Sequence, residues 1–151
     1  MSPQPAKSAT AVAASMRAAY DQLIRELSEA AEAVRVGHGD GIARLARFRT
    51  RTSAQLDSEE QGLFPLLDGG GGADRAVLER DHLQIRDALD RADAQLACQA
   101  SSDFSDVVQE LMLMLRAHCI RETRLLFAYA PALLDSAGPA QVERLRHLFP
   151  H

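Results

Sequence analysis

Helical periodicity appears four times along this chain of 151 residues, and strand-like alternation of polar and apolar residues is nearly absent. The four segments cover about residues 10–36, 42–63, 74–98 and 105–129, and each repeats apolar residues at steps of three and four. Glycine-rich sequences separate the first segment from the second and the second from the third. Four amphipathic helices with short connections predict an all-α fold, an up-down-up-down four-helix bundle.

The sequence after the fourth segment predicts one more helix. The stretch GPAQVERLRHLF follows Pro131 and repeats apolar residues at helical steps, and Pro139 suits the first turn of a helix. We therefore expect a flexible N-terminus over residues 1–9, the bundle over residues 10–135, and a short C-terminal helix with a tail over residues 136–151.

Each of the four apolar stripes contains polar side chains. On the fourth segment, in the sequence LMLMLRAHCIRETRLLF, His118 and Glu122 lie four residues apart and therefore point to the same side of one helix. A buried carboxylate is costly unless it meets a partner or a metal ion. The matching polar residues of the other three stripes are Tyr20 or Asp21, Gln55 with Glu59, and His82.

A weak internal repeat indicates that these polar residues meet. YDQLIREL resembles DHLQIRDA at an offset of 61 residues, and QLDSEEQGLFP resembles HCIRETRLLFA at an offset of 63. Two copies of a helical hairpin would bring equivalent positions of all four helices to one level of the core. Imidazoles and carboxylates gathered there suit iron, manganese or zinc. The alternative left open is that His118 and Glu122 bond each other, or arginines, without a metal.

The charge balance and the cysteines exclude several classes of partner. The net charge of −4 comes from 17 basic and 21 acidic residues scattered through the chain, so we expect no nucleic-acid partner. No apolar run approaches the roughly 20 residues that span a bilayer, so we expect no membrane partner. Cys98 and Cys119 have no metal-type spacing and form a poor disulfide framework, which predicts a reducing, cytoplasmic location.

Three motifs in a fixed order resemble the hemerythrin family, in its bacterial form with the HHE cation-binding domain. They are EEQGLFPLL, LERDHLQIRDAL and LRAHCIRETRLLF, and the resemblance covers about residues 17–134. It implies a bundle that holds non-heme iron as a diiron centre, in a protein of sensing or stress response. Such a protein binds dioxygen, nitric oxide or peroxide, or handles iron. A protein partner or a homodimer stays open, and no residue outside the site offers the clear acid or base of an enzyme.

The ligand pattern of the family implies which residues hold the metal. The metal ligands carried over from it are Asp21, Glu59, His82, His118 and Glu122. This chain departs from the pattern at two positions. Gln55 stands where the family pattern has a histidine on the second helix. At the histidine position of the first helix, matching of the local sequence gives Asp21, whereas the periodicity of the stripe gives Tyr20. We predict that Tyr20 and Gln55 line the cofactor.

These departures leave three outcomes open: two irons with altered redox behaviour, one ion such as iron or zinc, or a helical interaction module that has lost its metal. The anionic donor set favours ferric iron, which disfavours reversible dioxygen carriage. A ferritin-like carboxylate bundle is the rival architecture, and it requires Glu-x-x-His on two helices. Glu79 and His82 supply one such pair, but Leu115 stands where the second glutamate would be.

Overall fold

A computed structural model describes residues 5–70, 72–98 and 101–150, with the side chains of 5–7, 68–70, 101 and 131–137 excepted. Its elements, in chain order, are helix α1 (Pro5–Arg35), helix α2 (Gly41–Gly62), a 3₁₀ helix (Phe64–Gly70), helix α3 (Ala73–Ala97) and helix α4 (Ser101–His147). The described residues contain no strand, so the predicted all-α fold is confirmed. None of the described helices combines the length and the apolarity that crossing a lipid bilayer requires.

The four long helices form a bundle because each buries one apolar stripe. α1 packs against α2 and α4, α3 packs against α4, and the 3₁₀ helix contacts both α2 and α3. The turn between α1 and α2 is tight: a Cβ atom on Gly41 would lie 2.8 Å from the backbone nitrogen of Val34. A glycine at the start of α2 therefore lets the two helices approach closely at this end of the bundle.

Three boundaries differ from the sequence prediction, and one of them is the start of α4, at Ser101 instead of about residue 105. α1 begins at Pro5, inside the stretch 1–9 that was expected to be flexible, and residues 1–4 of that stretch lie outside the described residues. α4 continues past Pro131, where the sequence predicts its end, because a proline removes one hydrogen-bond donor without having to end the helix. The break comes at Gly138, whose φ of 60° and ψ of 178° are not helical. The helical turns that follow are the expected short C-terminal helix, and we name residues 139–150 the C-terminal segment.

Two apolar clusters fill the bundle, and a layer of buried polar residues separates them. On α4, for example, Leu115 belongs to one cluster and Leu126 to the other, with His118 and Glu122 between them. On the other three long helices, too, residues of one cluster are followed along the buried stripe by polar residues and then by residues of the other cluster. The C-terminal segment contributes to the cluster that also contains the 3₁₀ helix. We name the region between the clusters the polar layer.

Candidate metal centre

Three long helices each bring one potential metal ligand into the polar layer. Glu59 comes from α2, His82 from α3 and His118 from α4, and one donor atom of each lies within 4.8 Å of the others. None of the three side chains is more than 1% exposed. They meet because each lies on the core-facing stripe of its helix at the level between the two clusters.

Glu59 lies at the centre of the layer, and its two oxygens have different partners. Oε1 accepts hydrogen bonds from the Tyr20 hydroxyl at 2.7 Å and from Gln55 Nε2 at 2.8 Å. Oε2 lies 3.0 Å from His82 Nε2 and 3.3 Å from His118 Nε2. The Tyr20 hydroxyl also reaches Oε2, at 2.9 Å. One oxygen of Glu59 is therefore held by neutral donors, while the other faces both imidazoles.

The outer nitrogen of each imidazole contacts a carboxylate that the sequence did not single out. His118 Nδ1 lies 3.1 Å from Asp81 Oδ2, and His82 Nδ1 lies 2.8 Å from Glu60 Oε1. Arg121 in turn donates two hydrogen bonds to Asp81, at 2.7 and 2.8 Å. Carboxylates in this position fix the tautomer of a ligating histidine and direct its Nε2 towards a metal.

These contacts set the charges in the layer. Burial alone would raise the pKa of Glu59, but hydrogen bonds from His118 and His82 outweigh it and lower that pKa to about 2. Burial alone would lower the pKa of His118, but Asp81 and Glu59 hold it above its usual value. Burial raises the pKa of the Tyr20 hydroxyl, and the charge of Glu59 raises it further. An ionised Glu59 thus lies beside a neutral tyrosine and a histidine that favours its protonated form.

Glu122 is the second buried carboxyl group of the layer. It is 1% exposed, and within the described part of the chain neither of its oxygens has a hydrogen-bond partner. His118 Nε2 lies 3.8 Å from Oε2, too far for a hydrogen bond. Burial raises the pKa of Glu122 well above its usual value, and the charge of Glu59 raises it further. Buried oxygens without partners are costly, and a bound cation would remove that cost.

The three other predicted residues divide between the layer and the surface. Tyr20 lies in the layer and is 1% exposed, whereas Asp21 is exposed and takes no part in it. One step along a helix turns a side chain by about 100°, and at this level of α1 it is Tyr20 that faces the core. Gln55 also lies in the layer, where its amide donates to Glu59 and, at 3.0 Å, to the carbonyl of Leu148 in the C-terminal segment.

The donor set fits a transition-metal ion. Two imidazoles and two carboxylates, from His82, His118, Glu59 and Glu122, are the ligand types that iron, manganese and zinc accept. The outer nitrogens of both rings already have carboxylate partners, as ligating histidines do. The oxygens of Glu122 support the same conclusion, because they have no hydrogen-bond partner among the described residues and a metal ion would give them one.

Comparison with known proteins gives one match. A family model described as the hemerythrin HHE cation-binding domain matches residues 12–130, a range that includes every side chain of the polar layer from Tyr20 to Glu122. No curated protein and no solved structure matches the sequence. The match covers most of the chain, and it agrees with the helical fold and with the buried Glu–His–His cluster. The chain belongs to the hemerythrin HHE cation-binding domain family.

Proposed function

We propose that this protein is a hemerythrin-like metal-binding protein that holds non-heme iron inside its bundle. Family membership and the buried cluster of Glu59, His82 and His118 support metal binding. The observation that carries the proposal is Glu122, whose buried oxygens have no hydrogen-bond partner among the described residues. The protein would sense or handle oxygen, nitric oxide, peroxide or iron, with a small diatomic molecule as its further ligand.

One ion suits these donors better than two. The two imidazoles and two carboxylates of the polar layer are enough to hold a single ion. A second ion would need donors on the α1 side, where Tyr20 is a neutral hydroxyl and Asp21 is exposed. Gln55 offers only the carbonyl oxygen of a neutral amide, a donor that suits magnesium or calcium better than iron, and its nitrogen is turned towards Glu59 and Leu148. Iron bound here would supply one-electron chemistry and an open position for a small ligand.

The protein itself orients the donors and keeps water away from them. Asp81 and Glu60 fix the outer nitrogens of the two rings, which leaves both Nε2 atoms directed into the layer. The ring of Phe64 lies against that of His82, with centroids 4.8 Å apart, and closes one side of the layer. The apolar clusters above and below exclude bulk water, which strengthens every electrostatic contact between them.

A metal-free helical interaction module is the second candidate function. One observation favours it: Glu59 is already hydrogen-bonded by Tyr20 and Gln55 and faces both imidazoles, so its own charge is compensated without a cation. Under this alternative Glu122 stays protonated, which its raised pKa allows. The two candidates therefore differ in one measurable respect, the affinity of the layer for a transition metal.

Metal analysis of the untagged protein separates these candidates. After anaerobic reconstitution with ferrous iron we expect about one iron per chain, with a higher melting temperature than the metal-free protein, because a ligand that binds the folded state stabilises it. His118→Ala should lose both the metal and the stabilisation. Asp21→Asn is the matched control, because it removes an exposed carboxylate beside the layer and should keep both.

The outcomes are distinct. Failure of the wild-type protein to bind any transition metal after reconstitution would overturn the proposed function and leave the interaction module. Two irons per chain would overturn the single-ion assignment alone. Loss of metal in Asp21→Asn would show that Asp21 is a metal ligand and would overturn the ligand set of Glu59, His82, His118 and Glu122.

A further inference from the structure

Gln55 connects the polar layer to the C-terminal segment through one atom. Its Nε2 donates to Glu59 Oε1 at 2.8 Å and to the carbonyl of Leu148 at 3.0 Å, across 93 residues of sequence. The amide nitrogen carries two hydrogens, so it can serve both acceptors at once. Gln55 is only 7% exposed, and a buried donor that loses its acceptor is costly. The hydrogen bond to Leu148 depends on the segment staying in place, and its loss would leave one buried N–H of Gln55 without that acceptor.

Apolar contacts hold the C-terminal segment at this position. Leu145 and Phe149 are buried in the same cluster as residues of α1, α3 and the 3₁₀ helix. Gly62, the last residue of α2, lies directly beneath Leu148: a Cβ atom on Gly62 would lie 2.8 Å from a methyl carbon of Leu148. The segment thus sits on α2 with the Leu148 side chain directly over Gly62, one turn beyond Glu59.

A cavity of about 210 Å³ lies between the segment and helices α1 and α2. Gln55 and Leu148 line it, together with Arg51 and His147. The segment is therefore a wall between solvent and the amide that holds Glu59. Removing that wall would open the cavity to bulk water on the Oε1 side of the carboxylate.

We propose that the C-terminal segment is part of the metal centre and that Gln55 is the positioning residue that links them. This inference rests on the proposed metal site. Gln55 and Tyr20 hold Oε1 of Glu59, which leaves Oε2 directed at the two imidazoles. When the segment leaves, Gln55 loses one of its two acceptors and is free to turn, and Oε1 of Glu59 then keeps Tyr20 as its one remaining donor of the two. By linkage, metal binding and segment docking strengthen each other by the same factor.

Zinc binding measured together with amide hydrogen exchange tests the coupling. Zn²⁺ is the probe because it does not change its oxidation state. In the wild-type protein we expect the amides of residues 140–149 to exchange more slowly once zinc is bound. Gln55→Met keeps the length of the side chain and removes the amide. We expect this variant to bind zinc about 10-fold more weakly and to lose the zinc-dependent protection of the segment, while the bundle core keeps its protection.

Gly62→Leu disturbs the docking without touching the polar layer, since its side chain would occupy the place of Leu148. Leucine also suits a helix better than glycine, so α2 itself should not suffer. We expect weaker zinc binding and a changed visible spectrum of the cobalt-substituted protein, which reports the arrangement of ligands around the metal. The matched control is Gly39→Leu, at a position with open space around it, and it should change neither.

Each result decides a different point. If both variants bind zinc as tightly as the wild-type protein, or if zinc leaves hydrogen exchange in the segment unchanged, the inference is overturned and the proposed metal site stands. If the wild-type protein binds no metal after reconstitution, the proposed function fails and the inference fails with it.

Discussion

The Nε2 atoms of His82 and His118 face each other at 3.1 Å inside the polar layer. Each ring has its Nε2 beside Glu59 Oε2 and its Nδ1 beside a second carboxylate, so both of its nitrogens face acceptors. A neutral imidazole has one N–H and can donate to only one of them, whereas a protonated ring donates to both. The pKa of His118 is raised by Asp81 and Glu59, which favours the form with the additional proton. A metal ion in the layer would take over the role of that proton.

Glu122→Gln tests the cost of the buried carboxyl group in the metal-free protein. Burial raises the pKa of Glu122 from its usual value of 4.5, so the contribution of this group to stability is fully present below that pH and is lost as the pH rises towards the folded-state pKa. We expect the variant to melt a few degrees above the wild-type protein near pH 8, at about 2–4 °C per kcal/mol for a chain of this size. Near pH 4 the difference should vanish.

Thermal unfolding in the presence of a chelator, across this pH range, measures the effect. Glu29→Gln on the exposed surface of α1 is the control and should show no such trend. A variant that gains no stability over the wild-type protein at high pH would mean that Glu122 is compensated by a group other than a metal. With metal present the order should reverse, because the variant loses a ligand.

Asp81→Asn tests whether an outer carboxylate orients His118. The amide keeps the shape of the side chain and removes the charge that faces Nδ1, so we expect metal affinity to fall about 10–100-fold. Competition with a chromogenic chelator measures the affinity. Asp90→Asn is the control, because Asp90 is exposed on the same helix in an ion pair with Arg49. Unchanged affinity in Asp81→Asn would restrict Asp81 to its pair with Arg121.

Gly138→Ala should release the C-terminal segment in part. The φ of 60° and ψ of 178° at Gly138 form a conformation that costs a residue with a side chain about 1–3 kcal/mol. We expect a lower melting temperature and increased binding of a hydrophobic dye, because Leu145 and Phe149 leave their cluster. Gly39→Ala is the control. If dye binding and melting temperature stay at wild-type values, the break at Gly138 does not hold the segment in place.

The two cysteines should react with alkylating reagents at very different rates. Cys98 is exposed, whereas Cys119 is buried, and burial raises the pKa of its thiol to about 11. Since the thiolate is the reactive form, iodoacetamide near neutral pH should label Cys98 alone in the folded protein and both residues after denaturation. Peptide mass spectrometry reads the result. Rapid labelling of Cys119 in the native state would show that the bundle opens around the polar layer.

Periodicity was sufficient to predict the fold and the level at which polar residues gather. On α4, His118 and Glu122 continue the stripe of Leu115 at steps of three and four, and the structure buries all three together. Glu59 is buried in the same way, although the next residue, Glu60, is partly exposed to solvent. A helical stripe contains this information because it defines which side of the helix turns inward.

Local sequence matching was less informative on α1. The internal repeat aligns Asp21 with His82, whereas the structure places Tyr20 beside His118 and Glu59 and leaves Asp21 exposed. On α1 the alignment of the repeat is therefore shifted by one residue from the position that faces the core. A shift of one residue turns a side chain by about 100°, which is enough to move it from the layer to the surface.

The contacts around the ligands could not be predicted from periodicity. Asp81 precedes His82 in the sequence but contacts His118 on the neighbouring helix. Leu148 meets Gln55 because α4 continues past Pro131 and the chain folds back only at Gly138. Such pairs depend on how helices pack and where the chain reverses, and a stripe pattern specifies neither. The one signal available in the sequence was spacing, since Asp81 lies three residues after Leu78 and four before Ile85.

The docked C-terminal segment also decides how the protein can be handled in the laboratory. Pro150 lines the same cavity as Gln55, so a fluorescent fusion or an affinity tag attached there would pull on the residues that shelter the carboxylate. A polyhistidine tag at that point would add competing imidazoles at the mouth of the cavity and obscure any measured stoichiometry. A tag placed ahead of α1, with no group added after the C-terminal segment, leaves the packing of that segment on α2 undisturbed.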